Sequence, residues 1–276
     1  MIDAPPVRRL LLGAALRRYR ENLGFVLEDA ARVLECDRSK ISRIETGQRG
    51  IRPKELRELL TEYGVGEQEQ SALAAIAQAG RRGNWQQHRD DAIPGPYREY
   101  LALEQAASDI FAYDPQHIPD LLQAPQYALA AMTADPSLPA DAAHGMLAEL
   151  KLSRQQVLEQ RRPRLTALIG EAALHQVNGD PEVMRDQLGV LAVSRERIVV
   201  QVLPSGSGTP SSGPATILRF AGIPSLGVVY LPGLSGGICL AGQQDVASYT
   251  RAFEYLRASA LTPAASARLI REIAAG

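Results

Sequence analysis

Cysteine, tryptophan, histidine and lysine are scarce in this 276-residue chain, and long apolar runs are missing altogether. Two cysteines, Cys36 and Cys239, are too few and too far apart to build a disulfide scaffold or a zinc site of their own, a usage that fits a reducing cytoplasm. The four histidines, His88, His117, His144 and His175, have no metal-ligand spacing, so neither a metal nor another cofactor is expected. Pro, Gly or a charge breaks every apolar stretch before the ~18–20 residues that a membrane-spanning helix needs, which argues against a membrane protein. Arg8-Arg9 followed by Leu10 to Leu16 imitates the start of a signal peptide. The run is short, Arg17-Arg18 follow it and no cleavage site closes it, so it reads as a first helix.

What is present fits a globular chain: 45% hydrophobic and 22% charged residues, at a length that favours two domains. The formal net charge is -1, but residues 1 to 82 carry 15 Lys/Arg against 12 Asp/Glu and the remainder 15 against 19. All but three of the basic residues are Arg, as expected of a GC-rich genome as much as of a phosphate-binding surface.

From Leu10 to about Gln78 the periodicity is helical and closely punctuated. Leu12, Leu16, Tyr19 and Leu23 form one stripe and Leu27, Ala30, Ala31 and Leu34 the next, with Gly24 between them. Asp37 is a good N-cap for a third helix that turns Ile41 and Ile44 inward. Pro53 sits at the first position of a fourth, and Glu67 to Ala79 makes a fifth. Residues 80 to 96 lose the periodicity and read as a linker carrying Trp85. Beyond it, helices are expected over Tyr97 to Ala112, Leu121 to Ala134, Pro139 to Gln160 and Pro181 to Arg195. Leu165 to Ile169 could be a strand. The period then changes to two over Ile198 to Leu203, Thr216 to Phe220 and Leu226 to Leu231. Ser205 to Pro214 reads as a mobile hairpin loop, and two helices close the chain, the last opening on Thr262-Pro263. No internal repeat is visible.

The most informative stretch runs from Leu27-Glu28-Asp29-Ala30-Ala31-Arg32-Val33-Leu34 to Asp37-Arg38-Ser39-Lys40-Ile41-Ser42-Arg43-Ile44-Glu45-Thr46-Gly47. Ala31 allows two helices to approach, and Leu34, Ile41 and Ile44 anchor them. The outward face of the second helix is then left with Arg38, Ser39, Lys40, Ser42 and Arg43, side chains suited to the edges of bases and to phosphates. Residues 10 to about 66 resemble the Xre family of helix-turn-helix regulators, related to phage lambda repressor and Cro. The resemblance implies that Arg38, Ser39 and Arg43 read bases, that Lys40 and Ser42 flank them, and that Arg49 and Arg52 clamp phosphate. It also implies a buried ion pair between Arg20 and Glu45. Three positions depart from the family: Leu27 replaces a phosphate-bracing Gln, Val26 a polar N-cap, and Glu35 a frequent Gly. A left-handed backbone at Glu35 would cost about 1–2 kcal/mol more than with Gly.

Tyr100-Leu-Ala-Leu-Glu104, Ile118-Pro119-Asp120-Leu121-Leu122-Gln123, Arg154-Gln155, Glu171-Ala-Ala-Leu174 and Val200-Gln201-Val202-Leu203-Pro204 resemble the C-terminal domain of an actinobacterial group of Xre regulators described as antitoxin-like. That resemblance covers roughly residues 97 to 270 and implies a small partner protein. Asp120 stands where the group usually has Gly, and Ala124 where it often has Thr.

Against an enzyme stands the context of Gly233-Leu-Ser235-Gly-Gly237, which fits the G-x-S-x-G nucleophile elbow by letter only. Pro232 interrupts the approach, Ile238-Cys239-Leu240 reads as a strand rather than the required helix, and no His follows His175. A Gly-rich hairpin turn is the plainer reading, and Gly206-Ser-Gly208, with no helix after it, is no phosphate loop. Cys36 reads as a small hydrophobe, and Trp85, Tyr97 and Tyr100 as packing residues.

The expected fold is therefore mainly α with a smaller α+β part: a five-helix lambda-repressor-like bundle over residues 1–80, a linker over 81–96, and an α+β domain with a small, mostly antiparallel sheet over 97–276. The expected function is a cytoplasmic, non-enzymatic transcriptional regulator that binds double-stranded DNA as a homodimer. The alternative is an antitoxin-like module that mainly holds a partner protein.

Overall fold

The computed structural model describes residues 6–78, 94–134, 154–155, 158–160, 162–176, 179–193, 195–207, 213–223 and 226–276. The linker residues 81–93 with Trp85 and His88, most of the helix expected over 139–160 with His144, and residues 208–212 of the expected loop lie outside the described residues.

The chain opens with five helices: α1 (Val7–Asn22), α2 (Leu27–Val33), α3 (Arg38–Glu45), α4 (Pro53–Glu62) and α5 (Glu67–Gln78). Their boundaries follow from local chemistry. Gly24 adopts a φ of 70° and lets the chain reverse after α1. Val26 has no oxygen with which to cap α2, so its backbone N–H donates to Asp29 Oδ2 at 2.8 Å instead. Asp37 caps α3 by accepting from the Ser39 N–H at 2.7 Å. In the turn between α2 and α3, Glu35 takes the left-handed conformation, φ 47°, and the Cys36 N–H closes on the Ala31 carbonyl at 3.0 Å.

Leu11, Leu12, Ala15 and Leu16 of α1 bury against Ala30, Ala31, Ile41, Ile44, Leu56, Leu59, Leu60, Leu73 and Ile76. Leu23, placed on the same stripe by periodicity, is 47% exposed because the chain leaves α1 there. Gly13 supplies the closest approach in the bundle. A Cβ on it would stand 2.4 Å from the Glu45 carbonyl oxygen and 2.6 Å from that of Ile44, so α1 and α3 touch backbone to backbone.

The remainder is built around one six-stranded mixed sheet of order β3-β2-β1-β4-β5-β6. In chain order the elements are α6 (Gly95–Glu104), β1 (Asp109–Asp114), a 3-10 turn at Asp120–Leu122, α7 (Pro125–Thr133), β2 (Arg164–Gly170), a second 3-10 turn at Glu171–Leu174, α8 (Pro181–Ala192), β3 (Ile198–Leu203), β4 (Ala215–Arg219), β5 (Gly227–Leu231), β6 (Ile238–Leu240), α9 (Gln243–Ser259) and α10 (Pro263–Ala275). β1 pairs in parallel with β2 and β2 with β3, whereas β4, β5 and β6 run antiparallel to their neighbours.

Alternate residues explain the layers. Ile110, Ala112, Leu165, Ala167, Ile169, Val202, Leu218 and Val228 join the larger core with α6, α8 and α10. Tyr113, Leu168, Leu203, Ile217 and Val229 face the other way and meet Val246, Phe253 and Leu256 of α9. Gln187 of α8 is fully buried and satisfied, donating to the Leu122 carbonyl at 2.9 Å and accepting from the Ala124 N–H at 2.6 Å.

Four expectations change. The helix expected to reach Ala112 ends at Glu104, and Asp109–Asp114 is the central strand, held by partners 55 and 110 residues away at Arg164 and Arg219. The sheet is larger than expected, and two of its five pairings are parallel. β3 and β4 do not pair as the hairpin expected around Ser205 to Pro214, because β2 and β1 lie between them in the sheet. The helix expected from Leu121 begins at Pro125, whose ring suits a first helical position, after the 3-10 turn.

Candidate nucleic-acid interface

The helix-turn-helix pair presents the outer side of α3 and the loop after it. Arg38, Ser39, Arg43, Arg49 and Arg52 are exposed, and Lys40 and Ser42 are half-buried. The buried apolar residues of helix α3 are Ile41 and Ile44, with the Glu45 side chain also turned inward, which leaves its opposite side to polar groups.

These side chains differ in how far the protein itself engages them. Arg43, Arg49 and Arg52 form no ion pair among the described residues, although Arg43 lies near enough to Asp37 to help hold its carboxyl below the usual range, behind the hydrogen bonds from Ser39. Arg38 reaches Glu28 of α2 at 3.0 Å, with both groups exposed, so solvent screens the pair and the guanidinium can exchange partners at little cost. Lys40 is different. Its Nζ lies 2.8 Å from Glu55 at the start of α4, and both side chains are four-fifths buried. Burial raises the Glu55 carboxyl, but the hydrogen bonds from Lys40 and from the Arg52 N–H outweigh it and hold the group below the ordinary carboxylate range. Lys40 thus ties α3 to α4.

Behind this face, Arg20 and Glu45 meet as a fork: Nε to Oε1 at 2.7 Å and Nη2 to Oε2 at 2.8 Å, with Nη1 donating to the Phe25 carbonyl at 2.7 Å. Both side chains are over nine-tenths buried. The hydrogen bonds to Glu45 raise the Arg20 pKa despite burial. The pair joins the end of α1 to the end of α3 and fixes the pitch at which α3 leaves the bundle.

A second polar cluster lies beneath α6. The buried Arg154 donates through Nε and Nη2 to Glu104 at 2.9 Å each, and through Nη1 to Asp120 at 2.7 Å and the Tyr97 hydroxyl at 2.8 Å. The Tyr100 hydroxyl in turn donates to Glu104 at 2.5 Å. Tyr97, Tyr100 and Tyr230 stack beside it. In the sequence Tyr100 with Glu104, Asp120 and Arg154 fall in three separate short motifs, Tyr97 and Tyr230 in none, and nothing signals that Arg154 unites them. Asp120, a departure from the resembled group, supplies one of its carboxylates.

Gly233–Gly237 forms the turn of the β5–β6 hairpin, with the Tyr230 hydroxyl donating to the Gly236 carbonyl at 3.1 Å, and a strand rather than a helix follows it. It lacks the geometry of a nucleophile elbow. Among the described residues no group of three His, Cys, Asp or Glu side chains could hold a metal ion, and no helix is long and apolar enough to cross a membrane.

Two family models match the chain. One described as a helix-turn-helix domain covers residues 11–73, and one described as a domain of unknown function, DUF5753, covers residues 97–272. No curated protein and no solved structure matches it.

Proposed function

Because the chain belongs to the DUF5753 family and carries a helix-turn-helix domain ahead of that region, we propose that it is a sequence-specific transcriptional regulator of the Xre type that lays α3 in the major groove of DNA. The supporting observation is the exposed face of α3 and its following loop, where Arg43, Arg49 and Arg52 form no side-chain ion pair among the described residues, on a helix tied to α1 by the Arg20–Glu45 fork. Ser39 and Arg43 read base edges in this proposal, Arg38 joins them by leaving Glu28, and Arg49 and Arg52 bind phosphates. Ser42 and Lys40 flank the readers, with Lys40 also bracing α3 against α4 through Glu55.

One such helix reads too few base pairs for a unique genomic address, so the proposed active species is a homodimer on an inverted repeat. Residues 97–276 then serve association or sensing, behind a bundle of residues 1–80 and a linker of 81–96. The antitoxin-like alternative rests on sequence resemblance alone, and the regulator reading is preferred because it also uses the exposed basic face.

The test is a genome-fragment selection with the full chain at near-physiological salt, where binding through phosphates alone fades. An enriched inverted repeat is the expected result; fragments without a shared sequence overturn the proposal. On the selected site Arg43→Ala should cost about 1–3 kcal/mol and relax the preference at one base pair. Arg52→Ala should weaken all sequences alike and reduce the salt slope by about one.

A further inference from the structure

Among the described residues, the helical bundle touches the elements after it at α6 and at the turn after β4. At one, the Arg8 N–H donates to Glu99 Oε1 of α6 at 2.8 Å. At the other, the turn after β4 sits on α5: a Cβ on Gly222, whose φ is +74°, would lie 2.8 Å from Glu69 Cγ. Beside this second contact an open cleft of about 550 Å³ lies between Gln68 of α5, the β1 and β4 strands and α9. Its size falls within the range of small-molecule sites.

The chemistry of its walls is uneven in a way that selects a ligand. Three guanidiniums reach it from three different strands or their approaches: Arg164 at the start of β2, Arg197 just before β3, and Arg219 at the end of β4. Arg219 is anchored, its Nη2 donating to Thr250 Oγ1 at 2.7 Å, and burial alone pulls its pKa down. Arg164 is held by Asp109 at 2.5 Å, and Arg197 is exposed and leans on the Arg162 carbonyl at 3.1 Å. Against these stands an apolar side. Phe111 of β1 and Phe253 of α9 meet edge to face, with centroids 5.5 Å apart and planes at 72°. Two carboxylates also line the cleft, Asp109, paired with Arg164, and Glu254, paired with Arg257 at 3.3 Å. A concave surface with three convergent guanidiniums against these paired carboxylates on one flank and an aromatic pair on the other fits a planar apolar ring that bears a negative charge.

We propose that this cleft binds small organic anions carrying an aromatic ring, and that its occupant adjusts how the bundle meets DNA. The second half rests on the regulator reading above. The physical route for it is short. The turn that lines the cleft, Phe220 to Gly222, presses on Glu69, Glu69 Oε2 accepts from the Tyr19 hydroxyl of α1 at 2.9 Å, and α1 touches the backbone of α3 at Gly13.

Calorimetry or ligand-detected NMR with the full chain decides the first half, using phenylacetate and phenyl phosphate as probes, phenylacetamide as the uncharged ring, and acetate and inorganic phosphate as ringless anions. The aromatic anions should bind with a Kd of about millimolar, as suits fragments of this size, and roughly tenfold more tightly than the amide or the ringless anions. Arg164→Gln, Arg197→Gln and Phe111→Leu should each weaken binding roughly tenfold with an unchanged melting temperature, while the exposed Arg251→Gln elsewhere on α9 has no effect. Equal binding of the amide and phenylacetate, no binding of either aromatic anion, or insensitivity to all three cleft variants overturns the site. For the second half, fluorescence anisotropy on the selected DNA is read with and without phenyl phosphate, and a threefold or greater shift, about 0.7 kcal/mol or more, is expected. Unchanged affinity with a saturated cleft overturns the coupling. If the chain selects no DNA, the regulator reading falls while the binding isotherms still judge the site.

Discussion

Removing the carboxylate of Glu45 should be among the most damaging single changes available in the helical bundle. Arg20 and Glu45 share two hydrogen bonds at 2.7 and 2.8 Å, and both side chains are shielded from water. The Glu45→Gln variant keeps nearly the same shape but leaves a buried guanidinium with the Phe25 carbonyl, an amide oxygen and, 3.6 Å from Nη2, the half-exposed and therefore screened carboxylate of Glu21. An uncompensated buried charge costs about 3–5 kcal/mol, a large share of a domain stability of roughly 5–15 kcal/mol. Arg20→Met alone should cost a similar amount, because it strands the carboxylate at the C-terminal end of α3, where the helix dipole also disfavours it. In the double variant Arg20→Met/Glu45→Leu neither charge remains. The net loss should then shrink to about 1 kcal/mol, chiefly the unsatisfied Phe25 carbonyl. Urea unfolding followed by circular dichroism on the full chain measures all three. A Glu45→Gln loss under about 1 kcal/mol, or a double variant as unstable as the sum of the singles, would refute the assignment of this fork as a buried, coupled pair.

Other positions give sharper local readings. Gly13→Ala should destabilise the bundle by about 1–3 kcal/mol in the same unfolding experiment, since the added methyl meets two backbone carbonyls that cannot swing aside. Glu35→Gly should stabilise it by about 0.5–1 kcal/mol, the relief of a left-handed residue exceeding the entropy that glycine adds to the unfolded chain. Burial pushes the Cys239 thiol up to about 12. Iodoacetamide at pH 8.5 should therefore label it about a thousandfold more slowly in the folded than in the unfolded chain, as peptide mapping by mass spectrometry would read. A raised thiol pKa also has a sign for stability: the contribution is intact below about pH 9, where the unfolded thiol is still protonated, and is lost as pH climbs toward 12.

The helical bundle was legible because its information is local. Asp37 as a cap, Pro53 as a first helical residue and the 3.6-residue spacing of Ile41 and Ile44 act within one or two turns, and the left-handed position of Glu35 follows from the length of the turn it occupies. β1 was not legible, because Asp-Ile-Phe-Ala-Tyr-Asp continues an apolar helix and becomes a strand only through neighbours far along the chain. The same limit hid the role of Arg154 and the meeting of Arg164, Arg197 and Arg219. None of these residues has a local signature, and only the crossing of parallel and antiparallel strands brings them together. Lys40 shows the converse case: its place on the outer face of α3 was readable, but its capture by Glu55 depends on where α4 begins.

The order of strands also sets a timetable for synthesis. The five-helix core closes with α5 at Gln78, whereas β1 cannot complete its pairings until Arg219 has been made, 141 residues later. At about 5–20 residues per second the interval is roughly 7–30 s, ample for local helices to assemble and for an unpaired Asp109–Asp114 segment to stay exposed. Little more than a quarter of the molecule is thus finished while the rest is still waiting for its central strand, and the nascent chain passes through a state in which only the helical bundle is complete.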